Sequence, residues 1–109
     1  MIAIREYIGS DGHSPYARWF LRLNAQAAAK VAIALVRLQQ GNFSNVKGVG
    51  AGVQECRINF GPGYRIYFGR DGDTLIVLLG GGTKKRQRQD IETAKMLWQR
   101  YKRARARED

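Results

Sequence analysis

The run Gly52-Val53-Gln54-Glu55-Cys56-Arg57-Ile58-Asn59-Phe60-Gly61-Pro62-Gly63-Tyr64-Arg65-Ile66-Tyr67-Phe68 alternates with a period of two on either side of a Gly-Pro-Gly turn. Successive side chains of a strand point to opposite faces. In the first arm Cys56, Ile58 and Phe60 therefore share one face, and Glu55, Arg57 and Asn59 the other. In the second arm Tyr64, Ile66 and Phe68 oppose Arg65 and Tyr67. This is an antiparallel hairpin with one apolar face and one basic face that carries an aromatic. Asp71-Gly72 signals a further hairpin turn. Thr74 to Leu79 is nearly all apolar, the pattern of a central strand covered at least in part on both faces. Gly80-Gly81-Gly82 is expected to stop it.

Outward from this hairpin, Ile2, Ile4 and Ile8 read as a first strand, followed by a turn-rich loop over Gly9 to His13. Ser14-Pro15 starts a helix, since Ser caps and Pro is tolerated at the first helical position. Tyr16, Trp19, Phe20 and Leu23 give that helix one apolar face. Asn24 breaks or caps the chain, and a second helix runs from about Ala25 to Gln40 with Val31, Leu35 and Leu38 inward. Gly41-Asn42 closes it, so the two helices form a hairpin. Residues 41–52 hold Gly41, Gly48, Gly50 and Gly52 without the Gly-x-x-x-x-Gly-Lys-Ser/Thr spacing of a phosphate loop, and a mobile loop is expected there. The last element, about Thr83 to Arg105, is a helix with Ile91, Ala94, Trp98 and Tyr101 inward; Arg103 to Asp109 is expected to fray. The expected fold is α+β, β-α-α-β-β-β-α, one domain over 1–109, with helices packed on one face of a small, mainly antiparallel sheet.

The chain has 109 residues and a formal net charge of +10. A surplus of one sign points to a polyanionic partner. Ten of the 19 basic residues, from Lys84 to Arg107, lie in 83–107 against two acids, Asp90 and Glu92. The chain is a nearly neutral body with a basic C-terminal element. One cysteine, Cys56, excludes an internal disulfide, and with one histidine, His13, it argues against a zinc site. No run approaches the roughly 20 apolar residues of a membrane span, and the N-terminus lacks the apolar stretch of a signal peptide. A cytoplasmic protein without a metal, a cofactor or a membrane partner is expected.

The polar hairpin face joins Glu55, Arg57 and Asn59 to Arg65 and Tyr67. Lys84, Lys85 and Arg86 follow the next strand, and Lys47 precedes the sheet. Arg and Lys sets bind phosphates through charge-assisted bonds, and an aromatic beside them stacks unpaired bases. A lone histidine rules out two-histidine ribonuclease chemistry and Ser-His-Asp or Cys-His catalysis. Cys56 falls on the apolar face and reads as core. Metal-free RNA cleavage remains, in which the 2′-OH attacks the adjacent phosphate and Arg57, Arg65 and Lys84 stabilise the transition state. Arg is a poor proton carrier, so Lys84, Glu55 and Tyr67 are the candidates for proton transfer, with Glu55 the possible general base.

These strands resemble the phage-derived, HigB-type branch of the RelE superfamily. The resemblance rests on 52–58, on Gly61-Pro62-Gly63-Tyr64-Arg65-Ile66-Tyr67-Phe68, on Leu78 to Lys84, on Gln87 and on Asp90-Ile91-Glu92-Thr93-Ala94-Lys95. Arg37 to Phe43 and Val46 to Gly50 extend it over about residues 15–98. Where the family commonly has Gly-Asp-Lys-Ser, this chain has Gly82-Thr83-Lys84-Lys85. The resemblance implies a RelE-like fold and the toxin of a type II toxin–antitoxin module. It implies an mRNA endoribonuclease working in the ribosomal A site, and a cognate antitoxin, expected to be a small helix-turn-helix protein. It implies Arg57, Arg65 and Lys84 as functional positions, supported by Lys47, Tyr67 and Gln87; Lys85 and Arg86 add RNA-binding charge. A same-fold gyrase poison and a non-catalytic RNA-binding module are the alternatives.

Overall fold

In the computed structural model, which describes residues 1–108, the quoted run forms two paired strands in the register its alternation requires. They are β3 (Val53–Ile58) and β4 (Tyr64–Asp71), with Arg57 opposite Arg65 and Glu55 opposite Tyr67. The other elements are β1 (Ala3–Glu6), α1 (Pro15–Leu21), α2 (Ala25–Gln39), β2 (Val46–Gly50), β5 (Leu75–Thr83), a 3-10 turn at Lys84–Arg86, and α3 (Gln87–Glu108). The sheet has five strands in the order β1-β5-β4-β3-β2. Among the described residues, β1 and β5 pair in parallel and the remaining pairs are antiparallel.

The caps read from sequence are in place. Ser14 Oγ accepts the amide of Ala17 at 3.0 Å, and Asn24 Oδ1 accepts that of Ala27 at 2.9 Å. Each satisfies a backbone donor that the helix start leaves open. The helical hairpin buries Tyr16, Trp19, Val31, Ala34 and Leu38 against Cys56, Ile58, Ile66, Phe68, Ile76 and Leu78. Cys56 is a core residue of this face.

The structure corrects four expectations. Helices do not pack on one face alone: α3 crosses the opposite face, where Ala94, Leu97 and Trp98 meet Val53, Tyr67, Val77 and Leu79. Val77 and Leu79 alternate with Ile76 and Leu78, so β5 has apolar side chains on both faces and needs two covers. The glycine-rich segment is not wholly loop, because Val46–Gly50 pairs with β3 as an edge strand. The triglycine does not end β5; the pairing shifts register between Tyr67 and Phe68, and the strand then continues to Thr83 with Gly80, Gly81 and Gly82 paired to Tyr67, Ile66 and Arg65. Trp19 explains the glycine at 81, since its indole lies where a Cβ would stand. Finally, Arg103 to Glu108 stay helical, tied back by Arg105 Nε 3.2 Å from Asp71 Oδ2; Asp109 lies outside the described residues.

Candidate phosphate-binding site

Beyond the N-terminal end of α3, the basic face of the β3–β4 hairpin is open as a cleft of about 230 Å³. Lys47, Glu55, Arg57, Arg65 and the segment Ser44 to Val46 line it. Arg57 and Arg65 are cross-strand partners, so their side chains leave the sheet on the same face. Arg57 is exposed, whereas Arg65 is buried at 5% exposure.

Arg65 is held from two sides. Its Nη1 donates to the Gly63 carbonyl at 2.7 Å, and its Nε lies 3.7 Å from Glu55 Oε2. That pair is a charge contact without a hydrogen bond, and Arg65 Nε has no hydrogen-bond partner. Gly63 also joins Arg65 to Lys84: a Cβ at this left-handed glycine (φ +78°) would stand 3.2 Å from Arg65 Nη1 and 3.4 Å from Lys84 Cβ. The Lys84 amide donates to the Pro62 carbonyl at 3.4 Å. The Gly-Pro-Gly turn thus brings the root of Lys84 beside the Arg65 guanidinium.

Glu55 is 1% exposed and gathers three neighbours. Gln87 Nε2 donates to Oε2 at 2.9 Å, and Lys47 Nζ lies 3.8 Å from Oε1. The third neighbour is Arg65. Burial and these contacts hold its carboxylate in the wall of the cleft, engaged by one amide and two cationic neighbours. For Tyr67 the expectation of a stacking surface changes. At 1% exposure it sits under α3 and offers no face for stacking a base. Burial, reinforced by the Glu55 charge, pushes its hydroxyl pKa upward, so it stays protonated. Lys84, Lys85 and Arg86 are exposed on the 3-10 turn, with Arg86 Nε 4.0 Å from Asp90 Oδ1. Sequence reasoning passed over Asp90. Its Oδ2 is buried without a hydrogen-bond partner, and burial raises its pKa. It overlies Gly82, where a Cβ would collide with it, and that glycine was the available signal.

Residues 18–102 match the family model for Phage derived protein Gp49-like (DUF891). The chain belongs to that family. It is a toxin-like, phage-derived family associated with RelE-like toxins. A protein of Haemophilus influenzae (strain Rd KW20), described as uncharacterized, is 44% identical over 82 residues, covering 74% of this chain and 83% of that one. A Gp49-like toxin in general implies a cognate antitoxin. Among the described residues no helix is long and apolar enough to cross a membrane.

Proposed function

We propose that this Gp49-like chain is the toxin of a type II toxin–antitoxin module, of the HigB-type branch of the RelE superfamily, and that it cuts mRNA on the ribosome. Its site of action is then the cytoplasm, and its partners are mRNA, the ribosome and a small helix-turn-helix antitoxin. The observation that carries the reading is the pairing of Arg57 and Arg65 across β3 and β4, with Lys84 rooted beside Arg65 at Gly63.

In this reading the 2′-OH attacks the adjacent phosphorus, a 2′,3′-cyclic phosphate forms and the 5′-oxygen leaves. Arg65, fixed by Gly63 and Glu55, is a preorganised donor that needs no reorientation as charge develops on the phosphorane oxygens. Arg57 supplies the mobile second guanidinium. The Lys84 ammonium protonates the leaving 5′-oxygen, since guanidinium groups hold their protons, and the 2′-OH proton passes to solvent. Glu55, Gln87 and Tyr67 act as positioning residues behind this set. Lys47, Lys85 and Arg86 bind flanking phosphate.

The test is induced expression of the wild type beside Arg57→Ala and Lys84→Ala, with growth and mRNA ends mapped together. The Arg57 side chain is exposed and donates to no described protein group, so its loss leaves the fold intact. Each variant is expected to lower cleavage by about 100-fold or more, the scale of losing one transition-state donor. Growth arrest with intact message overturns the reading, and a loss of DNA supercoiling in that case assigns the arrest to gyrase.

A further inference from the structure

Next to the cleft, between α2 and the end of β3, lies a larger groove of about 500 Å³. Three cations line it, Lys30 and Arg37 from α2 and Arg57 from β3, together with Ser44, Asn45 and Asn59. No carboxylate is among its lining residues, and none of the three cations joins a described ion pair. Lys30 Nζ is steadied 5.5 Å above the ring of Phe60. Ser44, Asn45 and Arg57 line both the groove and the Arg57–Arg65 cleft, so the two form one continuous path.

We propose that this groove is a second phosphate-binding subsite, holding the single-stranded RNA that flanks the phosphate cut at Arg57 and Arg65; the inference rests on the ribonuclease reading above. Uncompensated cations in a row track a polyanion backbone, and amide and hydroxyl side chains between them suit ribose and base edges, which present donors and acceptors together. An acidic peptide fits less well. It would need an apolar anchor, and the floor residues Ala34, Cys56 and Ile58 are each less than a tenth exposed, leaving Ile33 at the rim. Arg57, at the junction, orients the strand from groove into cleft.

The experiment measures binding by fluorescence anisotropy for wild type and for K30E/R37E, whose replaced side chains are both exposed. The probes are 2′-O-methyl RNA of about 12 nucleotides, a 2′-O-methyl tetranucleotide and a polyglutamate peptide. Because 2′-O-methyl RNA cannot be cut, the readout does not depend on catalysis, and failure of the ribonuclease reading shows separately as uncut message in cells. The longer RNA is expected to bind about tenfold more weakly to the variant, with a salt slope smaller by about 1.4 for two lost single-strand phosphate contacts. The tetranucleotide is expected to change less than about twofold. Equal losses at both lengths, or no loss at either, overturn the proposal. So does weaker peptide binding with RNA binding unchanged, which assigns the groove to an acidic protein. Should K30E/R37E fail to fold, K30Q/R37Q is read by the same criteria.

Discussion

Arg65 Nε and Glu55 Oε2 lie 3.7 Å apart with side-chain exposures of 6% and 1%, a largely buried charge pair in the wall of the cleft. Glu55 also receives Gln87 and Lys47, so one carboxylate ties β2, β3, β4 and α3 together. Breaking a buried pair from one side leaves an uncompensated charge, which costs about 3–5 kcal/mol. Glu55→Gln keeps the shape and the Gln87 contact, so the expected loss is at the low end, about 3 kcal/mol. Urea unfolding should show a lower midpoint with an unchanged slope. Glu55→Gln combined with Arg65→Met should lose less than the two single changes added together. Strict additivity would show that the pair carries no coupling. The same arithmetic governs activity work: Arg65→Ala removes stability as well as charge, so Arg57→Ala is the cleaner probe of chemistry.

Two indoles clamp the sheet from opposite sides, Trp19 over Gly81 and Trp98 over Gly69. In both places the ring occupies the position a Cβ would take, so the glycines are there for close approach and not for turning. Gly81→Ala and Gly69→Ala should each cost about 1–3 kcal/mol, the usual penalty of overpacking. The first should perturb α1 and the second α3. Tryptophan fluorescence of the two variants, each read against a Trp19→Phe or Trp98→Phe background, separates the faces. A Gly69→Ala protein as stable as wild type would mean that the Trp98 ring moves aside freely.

Much of this architecture was legible in the sequence. Period-two alternation in 53–68 placed Arg57 and Arg65 on a shared face, and Ser14 and Asn24 announced the helix starts. What escaped has physical causes. Gly48 and Gly50 supply no side-chain periodicity, so β2 reads as a loop until β3 offers it a backbone to pair with. Three glycines look like a strand stop unless it is known that a tryptophan lies over one and an aspartate over another. The burial of Tyr67 and Glu55 could not be read locally. It depends on where α3 crosses the sheet, and alternation alone shows two faces without saying how each is covered.

Asp71 looked like a turn residue, yet it fastens the distal half of α3 to the β4–β5 hairpin. Tyr101 Oη donates to its Oδ2 at 2.6 Å, and Arg105 Nε lies 3.2 Å from the same oxygen. Hydrogen bonds to charged groups contribute about 1.5–3 kcal/mol, with less expected here because Arg105 is half exposed. Tyr101→Phe should therefore cost about 1 kcal/mol or slightly more. Asp71→Ala should increase amide exchange in residues 99–108 while leaving α1 and α2 protected. Uniformly faster exchange throughout the molecule would show that the contact supports the whole fold instead of the helix end.

One thiol and three phenols share an upward pKa displacement. Burial pushes the Cys56 thiol up to about 11, against an opposing pull from Arg37, and the Tyr16 hydroxyl up to about 12. Burial likewise raises Tyr67 and Tyr101, the latter helped by its hydrogen bond to Asp71. In each case the unfolded chain releases the proton first, so the folded state binds more protons at alkaline pH and stability falls as pH rises. The contribution is fully present below the ordinary values of 9 for the thiol and 10 for the phenols, and is lost as pH climbs through the raised ones. Each pH unit of displacement is worth about 1.4 kcal/mol, so Cys56 alone, raised from 9 to about 11, should account for a loss on the order of 2 kcal/mol near pH 11. Urea midpoints should be level up to about pH 8.5 and then decline steeply. At pH 8 a thiol reagent should modify Cys56 in urea but not in the folded protein. A midpoint that held steady to pH 11, or a folded protein whose thiol reacted as fast as a free one, would show that Cys56 and these tyrosines are open to water.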